Sequence, residues 1–191
     1  ELMENLGIPQ AHLLGHSMGG KVGMQVALNR PEKVDKLIVA DIAPVDYTPD
    51  RHGGVLEGLK SLAQARPTSR QQANELLAEH VEDSGVRAFL LKNLLRAEDG
   101  HFDLRLYLEG ILANYYDTLT LAPTGTPFNG PTLFIKGADS AYIQDKHRET
   151  VMQLFPNAQL KIIANAGHWL HAEKPDTFNR IVTQFLAGNS D

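Results

Sequence analysis

The sequence predicts an α/β protein, a mostly parallel sheet flanked by helices and interrupted by an inserted helical block. Three observations carry this. Short runs rich in Val, Ile and Leu alternate with amphipathic helical patterns towards both ends of the chain. The middle carries helical patterns and few strand signals. Near the start, an apolar run leads straight into Gly15-His16-Ser17-Met18-Gly19, a serine between glycines where a strand would give way to a helix. The predicted organisation is core over 1–48, helical cap over 49–125 and core again over 126–191.

Element by element, residues Glu1–Gly7 read as the last turns of a helix, with Leu2 and Leu6 on one face and Gly7 as C-cap. Ala11–Leu14 reads as a buried parallel strand, because it is apolar at most positions rather than alternating. Lys21–Asn29 has Val22, Val26 and Ala27 at helical spacing, and Arg30-Pro31 ends the helix. Val34–Ala40 is a second strand, with Asp41 and Pro44 beyond its C-terminal end. In the middle block, helices are predicted over Val55–Gln64, Ser69–Val81 and Val86–Ala97. Asp103–Tyr116 is predicted as one helix, or a turn and a helix. Strands then return at 131–136 and Gln159–Ala164, with a helix over Asp145–Leu154 between them. Pro175 opens a last helix whose Phe178, Ile181, Val182, Phe185 and Leu186 form one apolar stripe.

Composition removes several function classes. A chain of 191 residues has room for one substantial core with a small subdomain. A formal net charge of −5 argues against nucleic acid or a membrane surface as the main partner. Apolar runs such as Lys36–Ala40 and Thr132–Ile135 are too short to span a bilayer. The chain has no cysteine, which excludes disulfides, Cys-ligated zinc and a thiol nucleophile. No histidine spacing suits a metal site and no dinucleotide fingerprint follows a strand, so no metal and no cofactor are expected. The expected location is cytoplasmic. The chain opens without an initiator methionine or a leading strand, and another segment or chain is expected to supply the rest of the fold.

The serine motif suggests a chemistry. A strand turning sharply into a helix holds Ser17 at the apex in a strained backbone region. Gly15 and Gly19 are expected to avoid clashes with neighbouring backbone, while Gly20 and Gly23 let the helix approach the sheet. The Met18 backbone N–H, at the helix N-terminus, is the candidate oxyanion donor. A serine hydroxyl needs a base. Of the eight histidines, His168 is best placed, since it follows a strand and comes last in chain order. His16 is a poor base because a neighbour on the turn points elsewhere. His171 reads as a surface or supporting group. His12, His80 and His147 read as structural, whereas His52 and His101 have a chance of facing the cleft. Two residues compete as the acid that orients the imidazole. Asp41 ends the strand after the serine unit, and Asp139 follows the later strand in Gly137-Ala138-Asp139-Ser140. A Gly-x-x-Asp pattern would need the acid where Ser140 stands, so Asp41 is favoured.

The strings Gly15-His16-Ser17-Met18-Gly19-Gly20-Lys21 and Asp41-Ile42-Ala43-Pro44-Val45-Asp46-Tyr47, with 165–175 (Asn-Ala-Gly-His-Trp-Leu-His-Ala-Glu-Lys-Pro), resemble one branch of the α/β-hydrolases. That branch holds the bacterial YbfF esterases and human abhydrolase-domain-containing protein 11. The resemblance runs from about Gly7 to the C-terminus and implies the C-terminal part of an α/β-hydrolase fold. It implies a serine carboxylesterase hydrolysing short acyl or aryl esters through an acyl-enzyme, with Ser17 as nucleophile, His168 as base and Asp41 as acid. Small-molecule esters or thioesters would be its partners. Members of the branch commonly carry Asn where Asp139 stands, and a full member draws a second oxyanion donor from an early His-Gly segment that nothing here matches. An acyl-CoA or other acyl thioesterase is the alternative activity. A catalytically inactive hydrolase-fold binding protein is the non-enzyme alternative.

Overall fold

The computed structural model describes residues 2–48, 53–115, 118 and 120–188. The chain forms two compact units, one of residues 1–46 and 122–191 and one of residues 47–121.

In the first unit a short helix α1 (Leu2–Asn5) precedes β1 (Ala11–His16), α2 (Met18–Asn29) and β2 (Val34–Ala40). The α1 end is closed by Gly7 at φ 65°, with the Ile8 N–H donating to the Met3 carbonyl at 2.8 Å. The sheet has the order β1-β2-β5-β6 and is parallel throughout, where β5 is Thr132–Gly137 and β6 is Ala158–Ile163. β2 and β5 are the inner strands and are almost wholly buried, which is why they read as continuous apolar runs. β1 runs two residues past its predicted end, through Gly15 and His16, because both still pair with β2 (Gly15 with Val39, His16 with Ala40). Likewise α2 begins at Met18 rather than Lys21. Its first turn is glycine-rich and lacks the apolar spacing that marks a helix in sequence.

α2 lies close to the sheet because Gly20 and Gly23 face it. A Cβ on Gly20 would sit 2.6 Å from Ile42 Cγ2, and one on Gly23 would sit 3.2 Å from Leu37 Cδ1. The segment between β5 and β6 holds a 3₁₀ turn (Asp145–His147) and α7 (Arg148–Leu154), a division of the one predicted helix. After β6, a loop and α8 (Leu170–Glu173) lead to α9 (Pro175–Ala187), with Pro175 in its first turn. The predicted stripe of α9 packs on Ile38, Ala40, Leu133, Ile135 and Ile163 of the sheet. The Lys36 Nζ donates to the carbonyls of Phe185 and Leu186 at 3.1 and 2.8 Å, satisfying acceptors at the helix C-terminus.

The second unit is built from α3 (Gly53–Ala65), α4 (Arg70–Ala78), α5 (Ser84–Leu90) and α6 (Leu108–Asn114), with a short antiparallel pair, β3 (Leu94–Arg96) and β4 (Phe102–Leu104). Ser69 caps α4, accepting the Gln72 N–H at 3.1 Å. Leu59, Leu62, Ala73, Leu77, Val81, Leu90 and Leu94 form its core. Two expectations are corrected here. The helix predicted over Val86–Ala97 stops at Leu90, passes through a 3₁₀ turn (Leu91–Asn93) and becomes β3. The segment predicted from Asp103 as one helix, or a turn and a helix, opens instead with strand residues that pair with β3, and its helix begins at Leu108. A strand of three residues is too short for alternation to show in sequence, and Leu94 and Leu95 fit a helical face equally well. Tyr116 and His52 lie outside the described residues.

Candidate functional site

The C-terminal ends of the parallel strands bring the chemistry together. Ser17 follows β1, Asp41 follows β2, Ser140 lies just past β5 and His168 lies in the loop after β6. The ladder extends one residue past the first two strands. The Ser17 N–H donates to the Ala40 carbonyl at 2.9 Å and the Asp41 N–H donates to the Ile135 carbonyl at 2.8 Å. The backbones of serine and carboxylate are therefore fixed by the sheet itself.

Ser17 sits at φ 54°, ψ −121°, a region unfavourable for any residue with a Cβ. The sharp turn brings Gly15 against the start of α2, where a Cβ on Gly15 would overlap the Gly19 carbonyl. Gly19 does not behave as the sequence suggested. A Cβ there would meet nothing within 4 Å, so of the two glycines flanking the serine only Gly15 is in tight approach. Asp41 also has positive φ, 53°, and Asn165 has φ 52° in the loop that carries His168. These strained positions cluster at the site.

The Ser17 hydroxyl lies 3.0 Å from His168 Nε2, and His168 Nδ1 lies 2.8 Å from Asp41 Oδ2. The Asp41 carboxylate is fully buried. Its Oδ1 accepts the Gly137 N–H at 3.1 Å and its Oδ2 accepts the Ser140 hydroxyl as well as the His168 N–H. The Ser140 oxygen in turn accepts the Tyr142 N–H at 3.2 Å. A buried carboxylate with these donors keeps its charge facing the imidazole. Asp139, the competing acid, is exposed and its N–H donates to the Ala166 carbonyl. Its side chain is not the one bonded to His168. The Met18 N–H occupies the first position of α2, where helix geometry supplies no acceptor.

Three side chains that build this site, Ser140, Tyr142 and Glu173, were not singled out from sequence. Ser140 was noted only as occupying the place of a missing acid, and that place was the signal that could have found it. The Tyr142 ring stacks on His168 with centroids 4.0 Å apart and planes 20° apart. Glu173 accepts the Gly167 N–H at 2.8 Å and the Trp169 N–H at 3.2 Å, bracketing His168. His16 turns away from the serine, as expected of its neighbour on the turn, and its Nε2–H donates to the His168 carbonyl at 2.8 Å. Burial pushes its pKa down to about 4, and the nearby His168 and His171 add to this against the pull of the His168 carbonyl and Asp41. His171, expected as a surface or supporting group, is partly exposed, and its ring centroid lies 4.5 Å from that of His16. Lys21 on α2 is buried, which brings its pKa down to about 8 against the opposing charge of Asp46.

The other described histidines have local partners of their own or belong to the second unit. His12 pairs with Asp35 at 3.2 Å and His147 caps the 3₁₀ turn with Gln144. His80 and His101 belong to the second unit, where His101 pairs with Asp99 at 3.4 Å. Among the described residues, no group of three or more His, Asp or Glu side chains suits a metal ion, and no helix is long and apolar enough to cross a membrane.

A family model described as "alpha/beta hydrolase fold" matches residues 1–175. The chain belongs to the α/β-hydrolase family. This hydrolase-fold chain is 40% identical over 191 residues to a mouse protein named sn-1-specific diacylglycerol lipase ABHD11, covering 97% of the chain and 62% of the mouse protein. It is 35% identical over 179 residues to esterase YbfF of Escherichia coli, covering 94% and 68%. The chain thus spans about three-fifths of the mouse relative's length. Among solved structures it superposes on a marine microorganism esterase with TM-score 0.89 and 36% identity, covering 96% of this chain and 72% of that one.

Proposed function

We propose that this chain carries the catalytic residues of a serine carboxylesterase. The observation that carries the reading is the unbroken hydrogen-bond line from Ser17 Oγ through the His168 imidazole to Asp41. The esterase and lipase names of relatives at 35–40% identity support ester hydrolysis as the activity.

In this reading His168 Nε2 takes the proton as Ser17 Oγ bonds to the acyl carbon. The carbonyl electrons move to oxygen, and the Met18 N–H faces the resulting oxyanion. Asp41 keeps the His168 proton on Nδ1, so that Nε2 is free to act as base, and stabilises the imidazolium. The imidazolium then protonates the departing alkoxide. Water, activated by the same histidine, attacks the acyl-serine, releases the acid and restores the Ser17 hydroxyl. Short acyl and aryl esters are the proposed substrates. The diacylglycerol lipase name of the mouse relative makes lipid esters the next class to assay.

Replacing Ser17 by Ala in the full-length protein and following p-nitrophenyl acetate and butyrate hydrolysis tests the proposal. The expected loss in kcat is on the order of 10⁴-fold or more. Full turnover by the folded variant would reject it. Rates on acyl-CoA and simple esters of equal chain length separate the esterase reading from the thioesterase one.

A further inference from the structure

The residue before the serine remains unexplained by this mechanism. His16 is the last residue of β1, register-locked opposite Ala40, so that it precedes Ser17 on one strand and faces the residue that precedes Asp41 on the next. Its ring makes no bond to either side chain. Instead it reaches the loop after β6, where Nε2–H donates to the His168 main-chain carbonyl at 2.8 Å. The same ring packs among His168, Trp169 and His171, with centroids at 4.6, 5.4 and 4.5 Å. No other side chain bonds that carbonyl among the described residues, whereas the N–H groups on either side of His168 are held by Glu173.

We infer that His16 is a positioning residue for the base: its hydrogen bond to the His168 carbonyl ties the serine strand directly to the histidine loop and fixes the imidazole between Asp41 and Ser17. The inference rests on the reading of His168 as base. The geometry gives the tie a purpose. The loop before His168 passes through a positive-φ residue, Asn165, and Gly167, so the backbone alone is a weak guide for the ring. A base needs placing within fractions of an ångström, and small misplacements cost large factors in rate. Burial also keeps His16 neutral at the pH where an esterase works. A cation 4.6 Å from His168 would oppose the imidazolium that forms there. The groups around it are His168, His171 and Trp169, with Asp41 beyond.

The test compares His16→Phe, which keeps a ring but has no donor, with His16→Gln, whose amide nitrogen can stand where Nε2 stands. Both are made in the full-length protein. His16→Phe is expected to lower kcat about tenfold with KM within about twofold. It should also broaden or shift the low-field proton resonance of the His168–Asp41 bond. His16→Gln should recover most of both. Wild-type kcat in a folded His16→Phe protein overturns the inference, and so does His16→Gln falling as far as His16→Phe. Should His16→Phe fail to fold, the wild-type ring decides: nitrogen NMR is expected to find the His16 proton on Nε2, and a proton on Nδ1 alone overturns the tie. Failure of the base reading looks different, because a folded His168→Ala protein would then keep its activity whatever His16 does.

Discussion

The Asp41 carboxylate accepts three hydrogen bonds, from Gly137, Ser140 and His168, and it is buried. An Asn in its place keeps the volume but offers one oxygen and one NH₂ group. The NH₂ group would donate to His168 Nδ1, moving the imidazole proton to Nε2 where a base must be empty. Asp41→Asn is therefore expected to lower kcat by on the order of 10⁴-fold with KM little changed. Asp139→Ala, on an exposed side chain, should stay within about threefold of wild type. Steady-state kinetics on both variants checks the pair. His16 gives a separate stability prediction. Its folded pKa, about 4, lies below the ordinary 6.5, so between those values the unfolded chain binds more protons than the folded one. Stability attributable to His16 is therefore fully present above about pH 6.5 and is lost as pH falls towards 4. Denaturant melts across that range should show less of this slope in His16→Gln. At this scale Ser17 and His168 were legible in sequence because their local context is a strand followed by a turn. Ser140, Tyr142 and Glu173 were not, because what marks them is contact with residues far away along the chain.

At the scale of elements, the turn from β1 into α2 is where local sequence and tertiary demand meet. Gly15 has no room for a Cβ against Gly19, and Gly20 has almost none against Ile42 and Val39. Gly19 has open space, and a helical Ala is better than a helical Gly. Gly15→Ala is accordingly expected to destabilise the fold by about 3 kcal/mol or to prevent it. Gly19→Ala should leave Tm unchanged or slightly raised. Thermal unfolding of the two variants distinguishes a turn shaped by one glycine from one that needs both. The inner strands β2 and β5 and the helix α9 were readable because burial on both faces, or along one helical stripe, leaves long signals, whereas β1, expected to be buried, is a half-open edge strand. The β3–β4 pair leaves no strand signal of its own, since its register is fixed by cross-strand partners rather than by its own pattern.

At the scale of the whole molecule, strands that start far apart in sequence end side by side. The topology puts residues 17, 41, 140 and 168 on one edge of one sheet. The chain leaves the first unit at Asp46 and re-enters it at Ala122, where the Ala122 N–H donates to Asp46 Oδ1 at 2.6 Å. The sheet-edge residues thus belong to one unit although 75 residues separate its two pieces. The fold class was legible because such a sheet repeats one strand–helix signal. The distances that turn its edge into a hydrogen-bonded line were not, since strand ends meet only after the sheet has formed. The most direct measurement of the central claim is peptide mapping of the full-length protein after reaction with a fluorophosphonate probe. The expected result is one phosphonyl adduct, on Ser17, slowed by Asp41→Asn and absent in Ser17→Ala. A folded protein that stays unlabelled at Ser17, or is labelled on another serine, would contradict the claim.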